Sequence, residues 1–159
     1  MNEEQRKHVA RALGQIPSGG SVLTARHGSR VTGMLASWVQ QASFDPPTIT
    51  VVVKHGRPIQ ELIDAGGHFI LNLIGEDRGR MFKHFSKGFD PDEPAFDGLD
   101  SREEPEGVIL TECIAYLKCK VTDSVNAGDH KVYVAEILDA ISEGQSKPYV
   151  HLRANGLRY

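Results

Sequence analysis

The chain has little of what usually announces a chemistry. Its only cysteines are Cys113 and Cys119. They fall in one β-like region and read as two free thiols in a reducing compartment rather than a disulfide. No Cys and His residues cluster at ligand spacing, so no metal is expected. There is no Gly-x-Gly-x-x-Gly opening a helix, no Walker loop and no Gly-x-Ser-x-Gly. A Rossmann dinucleotide site, P-loop phosphoryl transfer and a hydrolase elbow are therefore not indicated. The net charge is −3 with no basic stripe among aromatics, which argues against nucleic acid. No apolar run is long enough to span a bilayer, and the charged start Met1–Lys7 lacks a signal-peptide core. The expectation is a cytoplasmic protein with neither membrane nor nucleic-acid partners.

What is present is an ordinary globular composition, 40% apolar and 25% charged over 159 residues, with no repeat or linker. That fits a single domain over 1–159 with a real core. Val9, Ala12, Leu13 and Ile16 recur at helical spacing and predict a first helix over 3–16, ended by Pro17-Ser18-Gly19-Gly20. Ser21–His27 and Arg30–Trp38 read as a hairpin turning at Gly28-Ser29. After a strand over Thr48–Val53, Pro58 opens a short helix that Gly66-Gly67 closes. His68–Ile74 is a buried strand, and Glu76–Phe85 a second short helix with Met81, Phe82 and Phe85 inward. Residues 86–107 form a long acidic loop, functional or mobile by its length. Val108–Leu110 is a short edge; Ala115–Val125 and Lys131–Ile141 are long strands; Tyr149–Leu152 and Leu157–Tyr159 finish the sheet. Strands without helical alternation predict a mainly β fold, an antiparallel barrel or sandwich with a few short helices.

Three stretches can carry a site. The first is Gly33–Val53, where two strands flank a polar loop and the rigid corner Asp45-Pro46-Pro47; the prolines belong outside the pairing. Its Ser37-Trp38-Val39-Gln40 backbone could meet the polar edge of a flat heteroaromatic ring, and the same residues equally fit an ordinary turn with Trp38 in the core. The second is Lys54-His55-Gly56-Arg57-Pro58, an anion site at a helix start or simply a solvated basic turn. The third is Gly128-Asp129-His130, which delivers a histidine to a strand start, a site residue or a surface one. Without a self-sufficient catalytic group, chemistry here would come from a cofactor.

The segments Met34-Leu-Ala-Ser-Trp-Val-Gln-Gln-Ala-Ser-Phe-Asp-Pro-Pro47, Arg57, Phe69-Ile-Leu-Asn-Leu73, Lys83-His84-Phe85 with Phe89-Asp-Pro91, Ile109-Leu-Thr111, Ala115-Tyr-Leu-Lys-Cys119, Gly128-Asp129-His130 and Gly156-Leu-Arg-Tyr159 carry a family likeness. From about Ile16 onward the chain resembles the flavin reductase-like domain, the FMN-binding split barrel of NAD(P)H:flavin oxidoreductases. The nearest form is the C-terminal reductase domain of cyanobacterial flavodiiron proteins. The resemblance implies an antiparallel Greek-key split β-barrel that binds FMN or FAD and takes hydride from NADH or NADPH. It places the isoalloxazine edge against Ala36, Ser37, Trp38, Val39 and Gln40, with Gln41, Ala42 and Ser43 below. The phosphate would lie near His55, Gly56 and Arg57, where relatives carry Ser and Thr hydroxyls and this chain is more cationic. Lys83, His84 and Phe85 would approach from the side, and His130 would sit where nicotinamide stacks, as the catalytic-site histidine. It also implies a homodimer. The alternative is a flavin electron carrier serving a redox protein partner without NAD(P)H turnover.

Overall fold

The computed structural model describes residues 1–143 and 145–157. In chain order its elements are α1 (Glu3–Gly14), β1 (Ser18–Gly19), β2 (Ser21–His27), β3 (Arg30–Ala36), β4 (Val39–Phe44), β5 (Pro47–Lys54), α2 (Ile59–Gly66), β6 (His68–Leu73), α3 (Gly79–Phe85), β7 (Ser101–Glu104), β8 (Gly107–Leu110), β9 (Ala115–Ala127), β10 (His130–Ser142) and β11 (Val150–His151). Seven strands make one antiparallel sheet in the order β3-β2-β6-β9-β10-β5-β4.

That order decides the architecture. The outermost strands, β3 and β4, are consecutive in the chain and separated only by Ser37 and Trp38. A two-residue link cannot reach across a flat seven-stranded sheet, so the sheet curls until its edges meet. Among the described residues no ladder joins β3 to β4; Trp38 O instead accepts the Val52 N–H of β5 at 3.0 Å. The result is the expected antiparallel Greek-key barrel with an open seam, a split barrel.

Inside lie Leu23, Ala25, Val51, Val53, Phe69, Leu71, Tyr133 and Ala135, and α2 plugs the interior with Ile59, Leu62 and Ile63. Each of those α2 side chains is buried, worth about 1.5–3 kcal/mol apiece. Gly67 ends α2 at φ 70°, the left-handed cap glycine permits. A second core outside the barrel joins Val22, Ile74, Met81, Phe85, Val108 and Leu110. Asn72 ties the two layers. It is fully buried, donates to Val22 O and Val108 O, and accepts the Leu110 N–H at 2.8 Å.

Several expectations change. The polar stretch after Trp38 is not a loop. Val39–Phe44 is an edge strand paired with β5 across a bulge between Gln41 and Ser43, because its backbone gains ladder partners while Gln40, Gln41 and Ala42 stay exposed. Pro47 joins the ladder opposite Phe44, tolerated as a strand's first residue. The first helix stops at Gly14, and its start is a capping box between Asn2 and Gln5. The second short helix begins only at Gly79, three residues later than expected. The long acidic segment contains β7, which forms a hairpin with β8. The strand at the C-terminal end does not finish the main sheet: β11 pairs with β1 in a separate two-stranded ladder. Leu157 lies in a turn, and Arg158 and Tyr159 fall outside the described residues.

Candidate functional site

The seam opens into a cleft of about 530 Å³, within the range of ligand sites. One wall is Met34, Leu35 and Ala36 at the end of β3, then Ser37, Trp38 and Val52. Phe82, Phe85 and Ser86 of the α3 region, with Gly88, form another. Arg57 enters from the turn before α2, and the strap His151–Asn155 completes the lining.

Trp38 is the hub. Its ring lies 4.7 Å from that of His130, tilted by 32°, and the Arg153 guanidinium sits 5.0 Å from its centroid. Pairing of β5 with β10 sets Lys54 opposite His130, and His55 N–H donates to Asp129 O at 3.0 Å. The two turns singled out from the sequence are thus neighbours. His130 is buried, and its Nδ1 lies 2.7 Å from Asp129 Oδ1. A carboxylate accepts, so Nδ1 carries the proton. That bond, first of all, holds the Asp129 carboxyl below its usual range.

The electrostatics are one-sided. Among the described residues no carboxylate lines the cleft, which carries two guanidinium groups. Among the described residues neither Arg57 nor Arg153 has an acidic partner within ion-pair distance. Arg57 reaches Lys87 O at 3.4 Å, and Gly88 leaves it room, since a Cβ there would come within 3.1 Å of its Nη1. Burial, and then the neighbouring Arg153 charge, lowers the His151 pKa, and that ring lies 4.8 Å from the Phe82 ring, tilted by 45°.

Of the residues expected from the sequence, Ala36, Ser37, Trp38, Arg57 and Phe85 line the cleft, and His130 adjoins it through Trp38. Val39, Gln40, Ala42 and Ser43 follow the edge strand away from the lining. His55 and Gly56 are exposed, and the Gly56 N–H is engaged by Gln60 Oε1 at 3.0 Å, so this backbone donor is not open to an anion. Lys83 and His84 also lie outside the lining. His84 Nε2 contacts Ala95 O at 2.9 Å, and its ring packs on Phe85 and Phe89. The sequence reading missed Ser86, Gly88 and the strap residues His151, Arg153 and Asn155. A polar, aperiodic tail after the last long strand is the one signal that could have found the strap residues; none marked Ser86 or Gly88. Among the described residues no His, Cys, Asp and Glu side chains gather as a metal site, and no helix is long and apolar enough to cross a membrane.

The family described as "Flavin reductase like domain" matches residues 13–156. The chain belongs to this family. Among curated relatives, this flavin reductase-like domain is 36% identical over 154 residues to diflavin flavoprotein A 1 of Synechocystis sp., covering 95% of the chain and 27% of that protein. It thus spans about a quarter of the relative's length. Among solved structures, the NADH:FAD oxidoreductase of Streptomyces globisporus superposes with a TM-score of 0.84 at 22% identity, covering 99% of this chain and 93% of that one. The styrene monooxygenase flavin reductase of Pseudomonas putida gives 0.77 at 27% identity, covering 91% of each chain. The split-barrel fold is common to them.

Proposed function

We propose that the chain is a flavin-binding oxidoreductase that uses NADH or NADPH to reduce FMN or FAD in the seam cleft. One observation carries the reading: an apolar cleft with two guanidinium groups and, among the described residues, no carboxylate in its lining. Such a cleft suits a planar ring bearing phosphate, and the residues present fit a flavin. When bound, the flavin supplies a hydride acceptor at N5 for the nicotinamide C4 hydride.

The protein's part is placement and electrostatics. Ala36, Ser37 and Trp38 at the break between β3 and β4 would hold the ring edge, and Arg57 the phosphate. Leu35, Phe82 and Phe85 exclude water from the ring. The guanidinium charges of Arg57 and Arg153 favour an anionic cofactor in the cleft. His130, with its Nδ1 proton fixed by Asp129, supports the Trp38 face and orients the nicotinamide. Val39, Gln40, Ala42, Ser43, His55, Gly56, Lys83 and His84 lie outside the cleft lining and have no assigned contact on this reading. The exposed Phe44, Val125 and Leu138 suit a homodimer.

The test is the absorption spectrum of freshly purified protein, then titration of flavin-free protein with FMN and FAD. A flavin band, or a dissociation constant raised roughly tenfold or more by Arg57→Gln, is expected. Colourless protein that binds neither flavin overturns the reading. The quarter-length match to a diflavin flavoprotein favours one variant of it, an electron carrier feeding a redox partner. Anaerobic NADH and NADPH separate the two, since a carrier's flavin band survives both.

A further inference from the structure

We propose that Arg153 is a second anion-binding residue of the cleft, reading the diphosphate of a dinucleotide. The inference rests on the flavin-site reading above but concerns a residue on a different element from the phosphate-binding end at Arg57.

Arg153 lies on the strap that follows β11. It borders both the main cleft and a smaller apolar pocket of about 250 Å³ formed with Leu13, Ile16, Ser18, Trp38 and Gly156. Its guanidinium packs over Trp38 at 5.0 Å. Stacking uses the face of a guanidinium and leaves its in-plane N–H fork for an acceptor. Among the described residues the bonds of that fork are sparse: Nη1 reaches Gly156 O at 3.5 Å, and the buried Nε has no partner. A cation with no carboxylate among the described residues and with donors to spare is arranged for something other than the fold.

The strap's seat is built for close approach. A Cβ on Gly14 would lie 2.4 Å from Arg153 O, and one on Gly156 would lie 2.2 Å from Leu13 Cβ. Gly156 N–H also donates to Ala10 O at 2.8 Å. Helix α1 therefore fixes the backbone from which Arg153 reaches Trp38. A mononucleotide has one phosphate, and on the reading above Arg57 answers it, since the Ser86 hydroxyl donates to Lys83 O at 2.8 Å. A second fork on a separate element answers a second phosphate group, which a dinucleotide carries in its diphosphate. Either FAD or the nicotinamide dinucleotide could supply it.

The experiment measures dissociation constants by calorimetry for wild type, Arg153→Gln and Arg57→Gln. FMN and FAD are titrated into flavin-free protein, and NAD⁺ and ADP-ribose into both flavin-free and FMN-loaded protein. Quenching of Trp38, the sole tryptophan, gives an independent readout. Arg153→Gln should weaken one dinucleotide relative to FMN by roughly ten- to hundredfold. Loss of FAD preference names the flavin as the source, and loss of NAD⁺ and ADP-ribose names the nicotinamide dinucleotide. Arg57→Gln should weaken FMN and FAD together, because both carry the phosphate it answers, and spare ADP-ribose. Arg153→Lys keeps the charge but loses the planar fork, and should fall between wild type and Gln; it serves if the Gln variant does not fold. Equal weakening of FMN and both dinucleotides, or no change in any, overturns the proposal. ADP-ribose binding that depends on Arg153 in a protein refusing FMN would sustain it while sinking the flavin reading. Failure to bind any of the four overturns both.

Discussion

Replacing Gly156 by alanine tests whether α1 and the strap really set the cleft. The added Cβ would lie 2.2 Å from Leu13 Cβ and 2.8 Å from Gly14 N and Leu13 C. Carbon contacts settle at about 3.5–4.0 Å. The atoms met are backbone and a Cβ, so no rotamer change relieves the clash and the strap must lift. Lifting breaks the Gly156 N–H to Ala10 O bond, about 1 kcal/mol. It also withdraws Arg153 from Trp38, about 0.5–2 kcal/mol. Upstream, the β1–β11 ladder and the Tyr149 N–H to Ile74 O bond stay in place. The loss is therefore about 1.5–3 kcal/mol, or a melting temperature lower by roughly 3–12 °C for a chain of this size. Circular dichroism reads the melt, and tryptophan emission reports the site directly. Gly14→Ala attacks the same contact from the helix side, with its Cβ 2.4 Å from Arg153 O. Because one docking can be lost only once, the double variant should fall short of the sum. Unchanged emission with a melt within about 1 °C of wild type, or full additivity, would refute the reasoning.

Asn72→Leu leaves the Leu110 N–H without its acceptor and removes two donated bonds, while Thr24 Oγ1 still serves Val108 O. It should lower stability by about 2–4 kcal/mol, and a urea-derived loss under about 1 kcal/mol would contradict that account. The Glu104 carboxyl is held below 4.5, chiefly by its hydrogen bond from Lys118 and further by Arg102. Its contribution is present above the unfolded value and lost as pH falls through the folded one. Urea midpoints of wild type and Glu104→Gln should therefore differ most near neutrality and converge in acid; a gap that persists or widens below that value counts against the pairing. Burial pushes both thiols up to about 12. Cys113 and Cys119 should label slowly with a disulfide reagent at mildly alkaline pH and rapidly once unfolded; prompt labelling of the native protein would be the contrary result.

Much of the barrel was legible because strands announce themselves locally. Alternation and β-branching located β2, β5, β6, β9 and β10 with ends wrong by only a few residues. Where the reading slipped, a local signal was outweighed by a non-local one. Gln40, Gln41 and Ser43 look like loop residues, yet β5 offers their backbone a ladder, and an edge strand tolerates polar side chains on its exposed face. The acidic composition around β7 hid a hairpin for the same reason.

The site divides along a similar line. Ser37, Trp38 and Arg57 could be found in the sequence because a strand break and a glycine-flanked cation are written in adjacent residues, and the family likeness tied them together. The chain alone also determined which residue types are available: one tryptophan, few cysteines, no ready-made catalytic motif. Only the tertiary structure decided that the break at Ser37-Trp38 is a barrel's seam. It alone brought His130 and Arg153 to the same indole ring. It also moved His55, His84 and the polar edge strand out of the lining. The physical reason is closure. A strand's character depends on its own residues, but a cleft depends on which distant strands the curling sheet brings edge to edge.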